Sequence, residues 1–462
     1  MPNTTPTQTS TPTPTALALP PAPAPTKPPK FRITNEKMIH KIVCEIVTRI
    51  LNDKSGFKPK LLCSGYTFSA GTACLYGCTY CYVEDMISKA PGVQDLLAAV
   101  KKKFQDVVIR RKESVITLQK ELRTAKGLLK YKGGKYAAAR AEGNPLVIYG
   151  SPLVDIAAHK DLVTETIEMV QLLLNDTDFD IRLLSKSPAI MDIAKSLSAD
   201  QKSRVIFGLS IGTFDHETAR AIEKHCPSPQ KRIEALHWLQ DNGYRTYGMI
   251  CPILPQPMEQ YVALVKEHIR PEKCEHIWAE VINVRKDSMT LTVAALEKAG
   301  KDEAAAALRN VCGDNCGQNW EQYARDTFIP LAAAIPRDAK AQPKLRFLQY
   351  EVKATRDWWK AQVVNGAILL TEHAQPTPVS MLRSIAENGT AQDQLALLPN
   401  FSQAQTVATT NVTPGAPLIL AAKPVATKGR TAALKAWDTR RAKKAGAAAA
   451  SLTTGVPAVT MP

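Results

Sequence analysis

Short apolar runs alternate with polar turns and helical stretches between about residues 60 and 290. The predicted strands are 145–149, 179–184, 205–209, 247–250 and 277–284, and the helices between them include 160–175, 189–197 and 231–242. Strand, turn and helix repeated five or six times are typical of a parallel sheet that helices cover. The sequence therefore predicts an α/β fold.

Polar residues follow the ends of these predicted strands. They are Ser151, Asp155, Lys186, Ser210 and Cys251. The carboxyl ends of parallel strands meet at one edge of the sheet, where active sites of such folds lie. We therefore expect these side chains to approach one another there, beside a cysteine loop that follows the first strand.

The cysteine loop spans 74–82 and has the spacing C-x3-C-x2-C at Cys74, Cys78 and Cys81. Three thiolates can hold three irons of a 4Fe–4S cluster and leave the fourth iron without a protein ligand. A zinc site would need a fourth ligand, for which Cys63 is the nearest candidate. The spacing and the neighbouring aromatic residues favour the cluster.

Other cysteines and the composition bear on the cellular setting. The chain has ten cysteines, three of them within eight residues, which indicates metal ligation in a reducing cytoplasm rather than a disulfide framework. Cys312 and Cys316 could ligate an auxiliary metal, although two thiolates are fewer than such a site needs. No apolar run reaches the 18 residues of a membrane span, and the N-terminus lacks the pattern of a secretion signal.

The net charge of +16 is concentrated in two segments. Residues 95–142 hold thirteen Lys and Arg against five Asp and Glu, and residues 423–444 hold eight against one. Such segments attract phosphate backbones without reading sequence, so 101–140 and 423–444 are candidate nucleic-acid contacts. The alternative is that these charges lie on solvated helix faces.

The remaining regions differ in composition and period. The prediction is a disordered Pro/Thr-rich leader at 1–30, an N-terminal helix at 31–59, a core at 60–290 with a basic insertion at about 126–143, a mainly helical extension at 291–372, and a disordered tail at 373–462 with a basic helix at 430–444.

The cysteine motif, with an aromatic residue before its last cysteine, is the signature of the radical S-adenosylmethionine superfamily, which this chain resembles over about 60–290. It is most similar to the spore photoproduct lyase-like branch, also called DNA repair photolyase-like. The segments that carry this resemblance are Tyr80-Cys81-Tyr82, Leu184-Ser185-Lys186-Ser187-Pro188, Ser210, Cys226-Pro227-Ser228-Pro229 with Arg232, and Cys251-Pro252-Ile253-Leu254-Pro255.

The resemblance implies a partial (βα)6 barrel of the TIM type and two cofactors, a 4Fe–4S cluster and S-adenosylmethionine. In the superfamily, the methionine part of the cofactor chelates the open iron. An electron from the cluster then cleaves the sulfonium and yields a 5′-deoxyadenosyl radical, which abstracts a substrate hydrogen. An external donor of the flavodoxin or ferredoxin type would supply that electron.

The resemblance also implies roles for single residues. Tyr80 would lie near the adenine, and Lys186 with Ser185 or Ser210 would meet the cofactor's carboxylate and ribose. Ser151 belongs to Gly150-Ser151-Pro152, which partly replaces the Gly-Gly-Glu-Pro segment of many members.

Two residues are candidates for catalysis. Tyr82 matches one of the lyase's paired tyrosines. The lyase returns a hydrogen atom from a cysteine after its second strand, but residues 149–155 contain no cysteine here. Cys251, at another strand end, could face the same cavity. A zinc-stabilised nucleic-acid-binding protein without catalysis is the alternative function.

Overall fold

The computed structural model describes residues 31–38, 41–46, 49–83, 87, 93–150, 152–283, 286–312, 316–350 and 355–370. The strands are β1 (Phe31–Met38), β2 (Lys41–Ile46), β3 (Leu51–Asn52), β4 (Tyr66–Phe68), β5 (Gly71–Ala73), β6 (Val107–Arg111), β7 (Val147–Gly150), β8 (Asp180–Ser185), β9 (Val205–Ser210), β10 (Arg245–Ile253), β11 (Ile277–Val281), β12 (Leu345–Tyr350) and β13 (Ala367–Leu370). The helices are α1 (Val93–Val100), α2 (Ser114–Glu121), α3 (Gly134–Ala141), α4 (Lys160–Asp176), α5 (Ile190–Lys195), α6 (Ala199–Lys202), α7 (His216–Ile222), α8 (Pro229–Asp241), α9 (Met258–Ala263), α10 (Lys286–Lys298), α11 (Asp302–Cys312), α12 (Cys316–Ala334) and α13 (Arg356–Gln362). The predicted leader at 1–30, the tail at 373–462 and its basic helix lie outside the described residues.

A nine-stranded sheet forms the centre of the fold, in the order β13-β12-β11-β10-β9-β8-β7-β4-β3. Every neighbouring pair from β4 to β13 is parallel, and β3 pairs with β4 antiparallel. All six residues of β9 are buried, and helix α8 packs against this strand. The predicted α/β fold is confirmed: β4 and β7 to β11 are six parallel strands that neighbour one another in chain order, and β12 and β13 add two more.

The predicted N-terminal helix at 31–59 is wrong. Its first half forms β1 and β2, which pair antiparallel, and β2 continues parallel to β6 with Ile42 opposite Val107. The stretch is rich in Ile and Val, which fit a pleated sheet well, and its apolar spacing is compatible with either structure. Pairing with the distant β6, which the local sequence does not reveal, decides between the two. A second, four-stranded sheet results, in the order β1-β2-β6-β5.

Two other predicted boundaries change. Helices α10 to α12 confirm the helical character of the segment after 290, but β12 and β13 then extend the central sheet parallel to β11. Residues 291–372 are therefore partly core rather than an extension. The segment at 126–143 packs onto the sheet through Tyr131 and Tyr136, whose rings contact Tyr66 and Phe179. In the described part of the chain, no helix is both long and apolar enough to cross a membrane.

Candidate active site

A cavity of about 700 Å³ lies at the carboxyl edge of the central sheet, lined by residues from β4 and β7 to β12. It brings together most of the residues singled out in the sequence, namely Cys74, Cys78, Tyr80, Cys81, Tyr82, Asp155, Ser185, Lys186, Ser210 and Cys251. Ser151 lies outside the described residues. Cys63, the candidate fourth zinc ligand, is buried but does not line the cavity. The convergence expected at the strand ends is therefore present in one space.

The cysteine loop is held by main-chain hydrogen bonds to the segment after α7. Thr79 N donates to Ile222 O at 2.9 Å, and His225 N donates to Tyr76 O at 3.3 Å. Gly77 has a φ of 60°, a left-handed conformation that glycine adopts without strain. These contacts fix the backbone from which the three loop thiols project.

The spread of the loop thiols bears on which metal group they fit. Two sulfurs on one tetrahedral zinc ion lie about 3.8 Å apart, given Zn–S bonds of about 2.3 Å. Among the residues that the structure describes, the sulfurs of Cys74, Cys78 and Cys81 do not all lie within 4.8 Å of one another. The three sulfurs are therefore not gathered as closely as a zinc site with three cysteine ligands requires.

Two of the loop thiols have pKa values that are shifted in opposite directions. Burial, followed by the charges of Cys74 and Cys78, raises the pKa of Cys81 to about 12. Such thiols become thiolates together only when positive charge compensates them, as iron does on binding. Cys78 differs, since a hydrogen bond with Cys226 lowers its pKa.

Glu223, which the sequence analysis missed, connects several predicted residues. It is buried, and its Oε1 accepts a hydrogen bond from the Tyr80 hydroxyl and lies 3.9 Å from Lys186 Nζ. Its Oε2 accepts from the buried Arg232 Nη2, and Lys186 Nζ also lies 5.6 Å from the centre of the Tyr80 ring. Tyr80, Lys186 and Arg232 are thus tied to one carboxylate at the wall that carries the cysteine loop.

The charges of this network keep its members ionised. Burial alone would raise the pKa of Glu223, but Arg232 and Lys186 outweigh it and lower that pKa. Burial alone would lower the pKa of Lys186, but the negative charges of Cys78 and Glu223 outweigh it and raise that pKa. The Lys186 ammonium is therefore a stable cation at the cavity wall.

Asp155 organises the strand-end segment that carries Lys186. Its Oδ1 accepts a hydrogen bond from Ser185 Oγ at 2.6 Å, and its Oδ2 accepts from Lys186 N at 2.6 Å. Ser187 N in turn donates to Ser185 Oγ at 2.8 Å. Burial raises the pKa of Asp155 despite these hydrogen bonds. The Ser185 hydroxyl is thus engaged within the protein, where it orients the turn before Lys186.

Ser210 and Cys251 meet at the ends of β9 and β10. Ser210 Oγ donates to Cys251 O at 3.2 Å, and Arg232 Nη1 donates to Ser210 O at 3.0 Å. A Cβ at Gly212 would lie 2.7 Å from Pro252 O, so only glycine allows this close approach of the two strand ends. The predicted cofactor residue Ser210 is therefore joined to the Arg232 network through its carbonyl.

Glu280, at β11, is another carboxylate of the cavity lining that the sequence does not indicate. Cys251 Sγ donates to Glu280 Oε2 at 3.7 Å, and Lys60 Nζ donates to Glu280 Oε1 at 3.1 Å. Burial, followed by the charge of Glu280, raises the pKa of Cys251, so its thiol stays protonated at neutral pH. The Tyr82 hydroxyl donates to Pro152 O at 2.8 Å, and its ring centre lies 6.3 Å from that of Phe57.

Comparison with known proteins gives distant similarities. No protein-family model matches the chain. An uncharacterized protein of Methanocaldococcus jannaschii, MJ0683, is 35% identical over 83 residues, which are 17% of this chain and 30% of that protein. The matched part of this relative is too short to assign the chain to a family.

Two solved structures are similar in fold. Spore photoproduct lyase complexed with dinucleoside spore photoproduct has 15% identity and a TM-score of 0.39, over 55% of this chain and 66% of that one. SuiB of Streptococcus suis bound to S-adenosylmethionine has 10% identity and a TM-score of 0.31, over 51% of this chain and 45% of that one. The chain therefore spans less than two thirds of each. Spore photoproduct lyase is the enzyme that the sequence motifs resemble, but values this low assign neither reaction nor substrate.

Proposed function

We propose that the chain is a radical S-adenosylmethionine enzyme. The observation that carries the proposal is that three cysteine thiols of the C-x3-C-x2-C loop share one cavity with a half-buried, charged lysine and two strand-end serines. When bound, a 4Fe–4S cluster and S-adenosylmethionine would supply a 5′-deoxyadenosyl radical. The protein's own task is to bind, orient and shield these groups.

The residues of the cysteine-loop wall have separate roles in this proposal. Cys74, Cys78 and Cys81 hold the cluster. Lys186, fixed as a cation, pairs with the carboxylate of S-adenosylmethionine, because an ammonium at the cavity wall is a suitable partner for an anion. Tyr80, whose hydroxyl is bound by Glu223, presents its ring beside the adenine.

Ser185 and Ser210 contribute through position. Ser185 orients the Lys186 turn through Asp155, and Ser210 lines the cavity for the ribose. Ser151, which lies outside the described residues, is assigned to the cofactor on the resemblance of the motifs alone.

Two residues that line the cavity, Cys251 and Tyr82, are the candidates for hydrogen transfer. We assign Cys251 as hydrogen donor, since its thiol stays protonated at neutral pH and the residue lines the cavity, where Glu280 accepts its hydrogen bond. Donation would break the S–H bond, form a C–H bond on a substrate radical and leave a thiyl radical on Cys251. Tyr82, on the same cavity, is the second candidate.

Anaerobic reconstitution with iron and sulfide tests the proposal. Reduced protein with S-adenosylmethionine should release 5′-deoxyadenosine, and Cys78→Ala should abolish the release because the cluster loses a ligand. Cys274→Ala is the matched control, because it removes a buried thiol that does not line the cavity. Release that persists in Cys78→Ala would show that the cluster assignment is wrong.

Metal and sulfide analysis of the purified protein distinguishes the cluster from the zinc alternative. Zinc without iron or sulfide in anaerobically purified protein would favour a zinc-stabilised binding protein. The three loop sulfurs, which are not gathered as closely as a zinc site with three cysteine ligands requires, argue against zinc.

A nucleic acid is the substrate class that we favour, on the resemblance of the motifs and on the basic segments. Within 101–140, several cations are already paired inside the protein, including Arg110 with Asp161 and Arg140 with Asp180. Lys101, Lys102 and Lys103 are exposed and adjacent. The candidate contact in the described part of this segment is therefore the lysine triplet.

Binding of a DNA duplex as a function of salt tests this substrate class. Neutralising Lys101, Lys102 and Lys103 together to Gln should weaken binding and reduce its salt dependence. Deleting 423–462, which removes the second basic segment, should also weaken DNA binding and reduce its salt dependence. The matched control neutralises Lys266, Lys298 and Lys340, three exposed lysines outside both segments. Equal binding by all of these proteins would contradict the proposed contacts.

Turnover also requires an external electron donor of the flavodoxin or ferredoxin type and a reducing compartment, for which we propose the cytoplasm.

A further inference from the structure

A fourth cysteine touches the cysteine loop from outside the motif. Cys226 Sγ lies 3.7 Å from Cys78 Sγ, within hydrogen-bond distance for sulfur. Cys226 follows helix α7, and its N–H donates to Glu223 O at 2.9 Å. The same segment is joined to the cysteine loop through Thr79 N to Ile222 O and His225 N to Tyr76 O. The contact between the two sulfurs therefore follows from main-chain bonds on both sides of it.

The direction of this hydrogen bond follows from the proposed function, on which the inference rests. A cysteine that ligates iron is a thiolate, so Cys78 has no proton and its sulfur can only accept. The contact is then maintained only if the Cys226 thiol donates. Hydrogen bonds to the ligand sulfurs are among the features that set the reduction potential of an iron–sulfur cluster.

We propose that Cys226 is a positioning residue that donates an S–H···S hydrogen bond to Cys78 and thereby raises the reduction potential of the cluster. The donated hydrogen bond draws negative charge away from the thiolate. The reduced cluster carries one more electron than the oxidised one, so it gains more from this withdrawal. Cys226 thus makes the electron transfer that starts the reaction easier.

A single metal ion is a competing use of the same atoms. The ligand atoms of Cys78, Glu223 and Cys226 all lie within 4.8 Å of one another. However, both oxygens of Glu223 are occupied, Oε1 by Tyr80 and Lys186 and Oε2 by Arg232. Two cations beside one carboxylate oppose the binding of a third positive charge. Glu223 and Cys226 are therefore better described as neighbours of Cys78 than as ligands of a separate metal ion.

Cys226 can be replaced without changing the lining of the main cavity. It does not line that cavity but borders a smaller one, of about 210 Å³, together with Arg220 and Lys224. An effect of its substitution on the cluster would therefore act through Cys78 rather than through the space for cofactor and substrate.

The test is a redox titration of the reconstituted full chain, monitored by the electron paramagnetic resonance signal of the reduced cluster. Cys226→Ala and Cys226→Val both remove the donor, and Val leaves a side chain of similar volume. Both should shift the potential to more negative values, whereas Cys226→Ser, which keeps an O–H donor, should stay close to wild type. Cys274→Ala, a thiol deletion away from the cavity, should leave the potential unchanged. Wild-type potentials in both the Ala and Val variants would overturn the inference.

Iron and sulfide contents separate the other outcomes. Loading that fails in both Ala and Val overturns the inference, even where Cys226→Ser is loaded, because Cys226 is then needed to hold the cluster rather than to set its potential. Loading that fails in all three variants overturns it and makes Cys226 a ligand. A wild-type chain that holds no iron–sulfur cluster overturns the proposed function itself, whereas a loaded wild type with unshifted variants overturns only the role of Cys226.

Discussion

Glu223 and Glu280 are two carboxylates that each lie beside a cysteine of the candidate site, and the protein holds them differently. Glu223 has a side-chain exposure of 3% and is contacted by Tyr80, Lys186 and Arg232. Glu280 has a side-chain exposure of 17% and is contacted by Lys60 and by the weak donor Cys251. Glu223 is thus contacted by two cations and a hydroxyl, whereas Glu280 is contacted by one cation and a thiol.

The different surroundings of the two carboxylates indicate different roles for the regions around them. Each oxygen of Glu223 accepts a hydrogen bond from the protein, Oε1 from Tyr80 and Oε2 from Arg232, and Lys186 adds a second positive charge at 3.9 Å from Oε1. Glu223 therefore serves to fix Tyr80, Lys186 and the cysteine loop in place. Glu280 has capacity left and faces the cavity, so it can exchange donors when a substrate enters. The cysteine-loop wall is accordingly the more rigid one, and the Glu280 wall the more adaptable one.

The largest effect is expected at Arg232. Arg232→Met leaves Glu223 buried without its closest cation and also removes hydrogen bonds to Pro227 O and Ser210 O. Breaking a buried ion pair costs about 3–5 kcal/mol of unfolding free energy. Urea unfolding of the reconstituted protein should show a loss of this size. The double variant Glu223→Gln with Arg232→Met should recover part of it, and a single-variant loss no larger than that of an exposed pair would contradict the rigid description of this wall.

The next effect concerns binding at the same wall. Lys186→Met should weaken S-adenosylmethionine binding about 10- to 100-fold, because a hydrogen bond to a charged group contributes about 1.5–3 kcal/mol. Equilibrium dialysis on the reconstituted protein measures the dissociation constant. Lys195→Met, an exposed lysine on the following helix that lies over Trp238, is the control and should bind like wild type. An unchanged constant in Lys186→Met would remove the proposed carboxylate partner.

A smaller effect on the unfolding free energy is expected at Lys60, beside Glu280. Lys60→Met leaves Glu280 with Cys251 alone, but the carboxylate is partly exposed and can regain water. The expected loss of unfolding free energy is about 1–2 kcal/mol, between the values for exposed and buried pairs. Lys58→Met, an exposed lysine two residues away, should have little effect. If Lys60→Met destabilises the protein as much as Arg232→Met, the two walls do not differ as described.

The sequence predicts one part of the site well and the other poorly. The loop cysteines, Lys186 and Ser210 could be found because they stand in a motif or directly after an apolar strand. Lys60 and Glu280 lie 220 residues apart, and Tyr80 and Glu223 lie 143 apart. Neither pair belongs to a local pattern, so only the folded chain joins them. Glu223 follows a short helix and gives no signal of its own beyond its position in the segment before Cys226.

The fold shows the same division. The strands β7 to β11 could be predicted because both faces are buried and their apolar runs are continuous. Strand β13 has only four residues and follows a short turn, so its apolar run does not stand out locally. Strands β1 and β2 were mistaken for a helix because their Ile and Val spacing suits both structures, and the partner β6 lies more than 60 residues further along the chain. Long-range pairing, absent from local periodicity, accounts for these failures.

The smallest effect tests whether Glu223 is also held through the backbone of α7. Asp215 caps this helix, its Oδ1 accepting from Glu217 N at 3.0 Å and its Oδ2 from Thr218 Oγ1 at 2.5 Å. Partial burial alone would raise the pKa of Asp215, but these hydrogen bonds and Lys301 outweigh it and lower the pKa below its ordinary value of 3.8. The stabilisation is therefore present above pH 3.8 and is lost as the pH falls through the lower folded-state pKa. Asp215→Ala should cost about 1 kcal/mol of unfolding free energy at pH 7, a difference that shrinks in acid, while Asp215→Asn keeps most of the cap. A loss of unfolding free energy that is the same at every pH would assign the effect of Asp215→Ala to packing rather than to the charged cap. Arg232 and Lys186 would then remain the main contacts that hold Glu223.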